Sequence, residues 1–369
     1  MTAMRPGETW RRSCKETLGQ YPSLEQVRLK QTDVAAKGEK TVMVRVRRIA
    51  THAALLCAVI LGFGNASLAQ DIPTIRFGRQ TAAEDNLWLM IARPDLSKNL
   101  NKAYKIDWSQ FRASDVAFKA FEAGQVDMIS TNANPAIAAS ASGVDLKIVA
   151  SLSRESANGA HTYWFGKADG GPKSIQDLKG KTIGILAYRT GIELWARQAL
   201  KSAGLNPDTD VQWAVVPFAA AADAVRTGRV AVAAAPEAFA AAALAKGDLK
   251  VVFTSKTGVP FDEELIIINA RPAFLKERPA AVRAFLSDLV DTSKYLTANL
   301  KEGRQALLDA KLVAMPPELF MSVKQYISDP ELRPNVENLK KQQDTLLSAG
   351  FIEKKIDIDS IVDTSYLPK

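Results

Sequence analysis

The sequence is short of cysteine and histidine, the side chains that most often supply nucleophiles and ligands for transition metals. Its 369 residues include two of each. Both cysteines, Cys14 and Cys57, fall within the first 69 residues, and the remainder keeps the single histidine His161. If that first segment is removed, the remaining chain has no disulfide, thiolate metal site or cysteine nucleophile. It also lacks a Walker loop, a nucleophile elbow and a histidine cluster, so we expect no enzyme activity, metal or cofactor.

The N-terminal region has no hydrophobic run long enough to span a bilayer. Its apolar run, residues 53–63, is far shorter than the ~20 residues that a spanning helix needs. Three arginines within residues 45–48 precede the run, and small residues at 67 and 69 follow it. This is the order of a secretory signal peptide, so we expect cleavage after Ala69 and export to the periplasm.

Residues 1–42 are polar and show no sustained apolar periodicity. Because a signal peptide normally begins at the N-terminus, the sequence predicts that Met43 is the true start and that residues 43–69 are the signal peptide. Residues 1–42 are then a non-native or disordered extension. A genuine long leader or a small ordered extension is the alternative.

Positive charge is concentrated in residues 1–69. The whole chain has a formal net charge of +8, and residues 1–69 contain eleven Lys and Arg against five Asp and Glu. The remaining 37 basic and 35 acidic residues give a charge of only +2. A nucleic-acid partner is therefore not expected.

After residue 73, short apolar runs alternate with helical patterns, which indicates βα units and a largely parallel sheet. The alternation restarts after a loop rich in glycine at residues 166–173. The sequence thus predicts two α/β lobes. Residues 70–166 are the first part of lobe one, residues 167–262 are lobe two, and residues 263–369 cross back and add C-terminal helices that pack on lobe one.

Three segments in order carry a family resemblance. Residues 121–127, FEAGQVD, lead to Asn134-Pro135; residues 175–184, IQDLKGKTIG, come later; and Pro236-Glu237 follows the strand predicted at Val230. The chain resembles the nitrate/sulfonate/taurine family of ABC-transporter solute-binding proteins. The resemblance implies an α/β fold of the type II periplasmic-binding-protein kind, with a ligand cleft between two lobes. It also implies a monomer that closes on a small anion and delivers it to a permease and ATPase complex.

In open α/β sheets, ligands lie outside the carboxyl ends of the strands. The expected ligand-binding residues are those at the predicted strand ends, with one tryptophan as a wall. They are Gln80, Thr81, Thr131, Asn132, Asn134, Trp164, Tyr188, Arg189, Thr190, Gly191 and Glu237.

Arg189 is the expected anion-binding residue, because a guanidinium beside a helix N-terminus suits a sulfonate, nitrate or carboxylate. A solvated turn arginine is the alternative. For Thr190, Asn132 and Asn134 the alternative is a structural role as helix caps or turn residues. Glu237 either holds an ammonium group or starts a helix. The family pattern has an acidic residue where Ala235 stands, which argues against recognition of an amino group.

Two other functions remain open from the sequence. The same fold is used by cytoplasmic enzymes that resemble pyrimidine-precursor synthases and chorismate-processing lyases, although an export signal argues against them. A ligand-sensing partner of a membrane receptor would have the same sequence features. For an importer, the expected ligand is a sulfonate, taurine, nitrate or an aromatic carboxylate.

Overall fold

The computed structural model describes residues 71–81, 83–313 and 315–369. The predicted extension, signal peptide and cleavage site lie outside the described residues, so they stay predictions. Within these residues, no helix combines the length and hydropathy that crossing a membrane would require.

In the described part of the chain, ten strands form two five-stranded sheets. Their bounds are β1 Thr74–Arg79, β2 Lys105–Gln110, β3 Met128–Asn132, β4 Lys147–Glu155, β5 Thr162–Lys167, β6 Thr182–Ile185, β7 Gln212–Val215, β8 Val232–Pro236, β9 Leu249–Thr254 and β10 Glu263–Ala270. The strand orders are β2-β1-β3-β10-β4 and β7-β6-β8-β5-β9. In each sheet the first three strands are parallel, and the fourth is antiparallel to its neighbours on both sides. The two sheets therefore share one topology.

Thirteen α-helices occur among the described residues. Their bounds are α1 Asp85–Ala92, α2 Ser114–Glu122, α3 Ala133–Ala141, α4 Gly191–Ser202, α5 Ala221–Arg226, α6 Glu237–Leu244, α7 Ser255–Gly258, α8 Pro272–Glu277, α9 Pro279–Ala298, α10 Leu300–Asp309, α11 Pro317–Ser322, α12 Val336–Ser348 and α13 Ile358–Ile361. We call the first sheet with α1 to α3 and α8 to α13 lobe one, and the second sheet with α4 to α7 lobe two. Helix α9 packs on α1, and α12 packs on α3 and β10, whereas α11 also contacts α6 of lobe two.

The first crossing between lobes comes earlier than the sequence suggested. Strand β4 ends in the first sheet at Glu155, and β5 begins in the second sheet at Thr162, so the chain crosses at residues 156–161. The predicted boundary at residue 166 placed β5 in lobe one, which is wrong because β5 hydrogen-bonds to β8 and β9. The residue pattern of a strand predicts that the strand forms, but not which sheet it joins. The loop at residues 166–173 is a turn within lobe two.

Strand β10 returns the chain to the first sheet, where it lies between β3 and β4. All eight of its residues are buried, and it contains the run from Leu265 to Ile268. A continuous branched apolar run is typical of a strand that is covered on both faces. Buried residues of both lobes, including Phe77 from β1 and Trp195 from α4, belong to one hydrophobic cluster with this strand.

Candidate functional site

A cavity opens between the lobes at the carboxyl ends of the parallel strands. It encloses about 680 Å3, including the part open to solvent. Its walls come from the loops after β1, β2 and β3 in lobe one and after β6, β7 and β8 in lobe two, with residues of β5 and β10 beneath. The lining residues are Gln80, Thr81, Ala83, Arg112, Ala113, Ser114, Asn132, Pro135, Thr162, Leu186, Thr190, Gly191, Ile192, Trp195, Phe218, Pro236, Leu265, Ile266 and Tyr326. We call this space the head cavity.

Two helices, one from each lobe, point uncapped N-termini at the head cavity. Helix α2 follows Ala113, which has no capping group, and α4 follows Thr190, whose side chain makes no capping hydrogen bond. The Thr190 hydroxyl instead donates to the main-chain oxygen of Ala187 at 2.8 Å. The first amide N–H groups of a helix have no acceptor within it, and they carry the positive end of its dipole. Both helices therefore offer main-chain donors to an anion in the cavity. Asp115 and Glu193, in their first turns, reduce the positive potential there.

Arg112 adds a full positive charge to the same wall. Its exposed side chain lines the head cavity beside the start of α2, and it has no hydrogen bond or ion pair with another described residue. No aspartate or glutamate is among the described lining residues. Since nothing there neutralises it, the guanidinium is available to a carboxylate or sulfonate group.

The lobes lie close together at Gly191. A methyl group built there would lie 3.0 Å from Asn134 Nδ2 and 3.3 Å from Asn132 Oδ1, both on lobe one. Asn132 caps α3 by accepting from the Asn134 N–H at 3.0 Å. Asn134 is buried, and its Oδ1 accepts from Gln342 Nε2 at 3.1 Å. Of the two asparagines, Asn132 lines the cavity and Asn134 lies behind it.

The loop after β1 is held from behind by a buried polar network. Gln80 donates from its main-chain N–H to Ser130 Oγ at 3.2 Å and from Nε2 to the Ser130 main-chain oxygen at 3.0 Å. The Ser130 hydroxyl donates to Glu84 at 2.6 Å, and Trp88 Nε1 donates to the same carboxylate at 2.8 Å. Burial raises the pKa of Glu84 to about 7, against the lowering effect of these donors. Gln80 is thereby fixed at the cavity wall.

Trp195 is also held by a buried polar network, which lies beneath the head cavity. Its Nε1 donates to Glu263 Oε2 at 2.6 Å, and Lys256 Nζ approaches the same oxygen at 3.0 Å. Burial raises the pKa of Glu263 to about 7, although Lys256 opposes the shift. The indole ring is thus held as part of the cavity floor.

Arg189 lies outside the lining, contrary to the sequence-based expectation. Its guanidinium donates to the main-chain oxygen of Phe351 at 2.6 Å and lies over that ring at 5.7 Å. Its neighbour Tyr188 is also outside the cavity, 53% exposed, with a long hydrogen bond of 3.4 Å to the Trp213 main-chain oxygen. The turn after β6 therefore bends these two side chains away, while Thr190 and Gly191 remain at the cavity.

Three further expected site residues serve other purposes. Trp164 was expected to form a wall, but it is fully buried in lobe two, where it stacks on Phe253 at 4.7 Å. Thr131 is fully buried, and its hydroxyl accepts from Asn269 Nδ2 at 2.8 Å. Glu237 starts α6 and accepts from Tyr163 Oη at 2.6 Å and from the Lys324 N–H at 3.2 Å. It lines a neighbouring cavity instead.

Sequence reasoning missed Arg112, Phe218 and Tyr326. The first two follow β2 and β7, so the strand-end rule would have found them had it been applied to these edge strands. Tyr326 lies in an irregular C-terminal segment that carries no comparable signal. Its buried hydroxyl has no hydrogen-bond partner among the described residues. Burial, and then the charge of Glu155, raises the pKa of Tyr326 well above its ordinary value, so the hydroxyl stays a donor.

Two α/β lobes with a cleft at their strand ends define a periplasmic-binding-protein fold, and solved structures agree. The periplasmic aliphatic sulphonate-binding protein of Escherichia coli superposes with a TM-score of 0.64 at 22% identity, covering 79% of this chain and 92% of that one. The alkanesulfonate-binding protein of Xanthomonas axonopodis pv. citri, bound to MOPS, gives 0.66 at 18%, covering 80% and 99%. The periplasmic nitrate-binding protein of Synechocystis PCC 6803 gives 0.65 at 12%, covering 80% and 87%. The predicted fold class is confirmed.

Sequence comparison identifies the family. The NMT1/THI5-like family model matches residues 109–302, and the chain belongs to that family. A putative aliphatic sulfonates-binding protein of Escherichia coli (strain K12) is 28% identical over 267 residues, which span 70% of this chain and 80% of the relative. These matches confirm the resemblance to ABC-transporter solute-binding proteins.

Proposed function

We propose that this protein is the solute-binding component of an ABC-type importer, which captures a small organic anion between its lobes. The observation that supports it best is the head cavity itself. One uncapped helix N-terminus from each lobe and the side chain of Arg112 face a space that no described carboxylate lines. This arrangement stabilises negative charge and would bring both lobes onto one ligand.

The ligand we propose is an anion with an apolar part, such as an aliphatic sulfonate or an aromatic carboxylate. Leu186, Ile192 and Phe218 give the cavity apolar walls beside its polar donors. An ammonium group, as in taurine, would find no carboxylate in this described lining, which fits the presence of Ala235 in place of an acidic residue. The names of the relatives, which include sulfonate-binding and nitrate-binding proteins, support an anionic ligand.

The proposed setting is the periplasm, where a monomer cleaved after Ala69 would meet a permease and ATPase complex. Solved relatives are described as periplasmic and as binding proteins, which favours transport over the enzymatic alternative. Closure of the lobes on the ligand is the event that the permease would recognise.

A thermal-unfolding screen of the purified protein tests the ligand class. Methanesulfonate, benzenesulfonate, benzoate, taurine, nitrate, glucose and putrescine would be compared at equal ionic strength. A true ligand at 100 times its dissociation constant adds about 2.7 kcal/mol to the free energy of unfolding, and sulfonates or aromatic carboxylates should give the largest shifts. Shifts with putrescine or glucose alone would refute the proposal.

A further inference from the structure

Two buried carboxyl groups lie where the chain crosses between the lobes. Glu155 is the last residue of β4, before the first crossing, and Glu263 is the first residue of β10, after the second crossing at residues 259–262. The two residues are direct partners in the antiparallel pairing of these strands, and both are fully buried. Directly opposite side chains lie on the same face of a sheet, with Cβ atoms about 4.5–5.5 Å apart. Glu155 and Glu263 are therefore neighbours, and we call them the crossing pair.

Each member of the crossing pair uses one oxygen to hold lobe two. The donors are the Thr162 N–H and Ser255 Oγ on Glu155 Oε1, and Trp195 Nε1 and Lys256 Nζ on Glu263 Oε2. The second oxygens, Glu155 Oε2 and Glu263 Oε1, are buried and have no hydrogen-bond partner among the described residues. A buried acceptor without a donor costs free energy. A single donor placed between these two oxygens would satisfy both.

The crossing pair carries more negative charge than its surroundings neutralise. Within the described part of the chain, Lys256 is the one cationic side chain that forms an ion pair with either carboxylate. Arg154 and Glu264, the neighbours of the pair in sequence, form an ion pair with each other, and alternation along the strands places them on the opposite face of the sheet. Two carboxylates and one ammonium group would leave one uncompensated charge in the interior, which is strongly unfavourable.

The other titratable groups around the crossing pair supply no compensating charge. The charge of Glu155 acts on Tyr163 of β5 and on Tyr326, and burial together with nearby carboxylates raises the pKa of both phenols. His161 stacks on Tyr163 at 4.4 Å between ring centroids and makes no ion pair with a described residue. Burial raises the pKa of Glu155, and it raises the pKa of Glu263 to about 7, to which the charge of Glu155 adds. Both carboxyl groups thus hold a proton more tightly than a solvated glutamate does.

We propose that Glu155 and Glu263 share one proton between their second oxygens, and that this proton holds the two crossing segments together. One carboxylic acid then donates to the other carboxylate, and with Lys256 the group has no net charge. Loss of the proton would place two like charges on directly opposite residues, which repel each other. Ionisation of the pair should therefore loosen the segments that connect the lobes. This inference goes beyond the proposed function and does not depend on which ligand the head cavity binds.

Side-chain carbon-13 NMR of the full-length protein, labelled in its glutamates, tests the shared proton. The carboxyl carbons of the crossing pair are assigned from the resonances that disappear in Glu155→Gln and Glu263→Gln. We expect these two carbons to titrate together, with one proton on the pair at pH 7. Glu302→Gln, at an exposed position of α10, is the matched control and should leave both signals unchanged. Two protons or none on the pair at pH 7 would overturn the proposal.

If a glutamine variant fails to fold, the indole N–H of Trp195 gives the same information in the unmodified protein. Because this group donates to Glu263, its nitrogen-15 resonance should shift as the pair titrates. We expect that shift near pH 7. A resonance that moves only below pH 5, where a solvated glutamate titrates, would also overturn the proposal.

Hydrogen exchange of residues 156–161 and 259–262, corrected for the chemical exchange rate, tests whether the proton holds the crossings. When these segments separate, water reaches the pair and each carboxyl group regains its ordinary pKa, so opening releases a proton. Because the pKa is raised in the folded state, the stabilisation is complete at low pH and is lost as pH rises to about 7. Exchange should therefore accelerate about tenfold per pH unit between about pH 5 and 7, and then level off.

Glu155→Gln separates this effect from other causes of pH dependence. Its amide can donate to Glu263 at every pH, so exchange at the two crossings should no longer accelerate between pH 5 and 7. Glu302→Gln should behave like the unmodified protein. The same acceleration in Glu155→Gln as in the unmodified protein would show that the shared proton does not hold the crossings.

Discussion

The guanidinium of Arg189, on lobe two, donates a 2.6 Å hydrogen bond to the main-chain oxygen of Phe351, on the C-terminal segment of lobe one. Arg189 has a φ of 58°, a left-handed conformation that arginine rarely adopts, and its N–H donates to the Glu193 carboxylate at 2.5 Å. Phe351 belongs to a lobe-one cluster that also buries Leu194 of α4. Arg189 is therefore part of a contact that holds the two lobes together.

Arg189→Ala should weaken binding of every ligand by a similar factor, about tenfold, because a hydrogen bond from a charged group contributes about 1.5–3 kcal/mol. Because Arg189 joins the two lobes and does not line the head cavity, the loss should be found mainly in the dissociation rate. Stopped-flow kinetics would measure the dissociation rate, and the radius of gyration of the free protein would report the separation of the lobes. An unchanged dissociation rate together with an unchanged radius would contradict this role.

Arg112→Ala should instead selectively weaken the binding of anions. Removing the charge that lines the head cavity should lower sulfonate affinity about tenfold and reduce its dependence on ionic strength, because Coulomb attraction at an exposed site is screened by salt. Arg229→Ala is the control: Arg229 is exposed and lies beside a pocket of lobe two that shares no residue with the head cavity. Equal losses in the two variants would show that only net charge matters.

Gly191→Ala should hinder closure of the lobes. The added methyl would lie 3.0 Å from Asn134 Nδ2, which is closer than carbon and nitrogen normally approach, so either this side chain or the lobes must shift by a few tenths of an ångström. We expect ligand affinity to fall by about tenfold or more, while the melting temperature of the free protein changes little. Adding Asn134→Ala removes the nearest atom and should recover part of the loss in a double-mutant cycle. Purely additive losses would argue that the methyl acts elsewhere.

Glu84→Gln should flatten the pH dependence of stability. Burial raises the pKa of Glu84 from 4.5 to about 7, so between these values the folded state binds more protons than the unfolded state. The free energy of unfolding should therefore fall as pH rises from about 5 to 7, by about 2 kcal/mol for this group, and then level off. The amide introduced by E84Q stays neutral at every pH, and its oxygen can still accept from Trp88. Urea unfolding of E84Q at pH 5 and pH 8 should thus differ less than for the unmodified protein.

The exposed residue Glu318 provides the matched control for this experiment. Glu318→Gln should leave the pH slope unchanged, because its side chain is exposed to solvent. Because burial also raises the pKa of Glu263 to about 7, part of the slope should remain in E84Q. A slope identical in E84Q and the unmodified protein would mean that Glu84 is ionised in the fold.

Local patterns were sufficient to predict the strands that carry the site. Strand β1 begins with the apolar run at Thr74, and α4 begins beside Thr190, at the helix N-terminus that the sequence placed next to Arg189. The same reasoning could not assign β5 to a sheet, because its pairing with β8 and β9 joins residues that are far apart in the chain. It also could not foresee that Arg189 turns toward Phe351, 162 residues further along the chain.

The sequence by itself determined the βα alternation, the family, and the positions after the strands where ligand-binding residues are expected. Each of these depends on neighbouring residues or on short motifs. Only the tertiary structure decided which of those residues meet. It placed Arg112 rather than Arg189 at the head cavity, buried Trp164 in lobe two, and brought Tyr326 from the C-terminal segment to the wall of the head cavity. The physical reason is that side-chain direction and long-range packing depend on contacts between distant parts of the chain, which local periodicity does not encode.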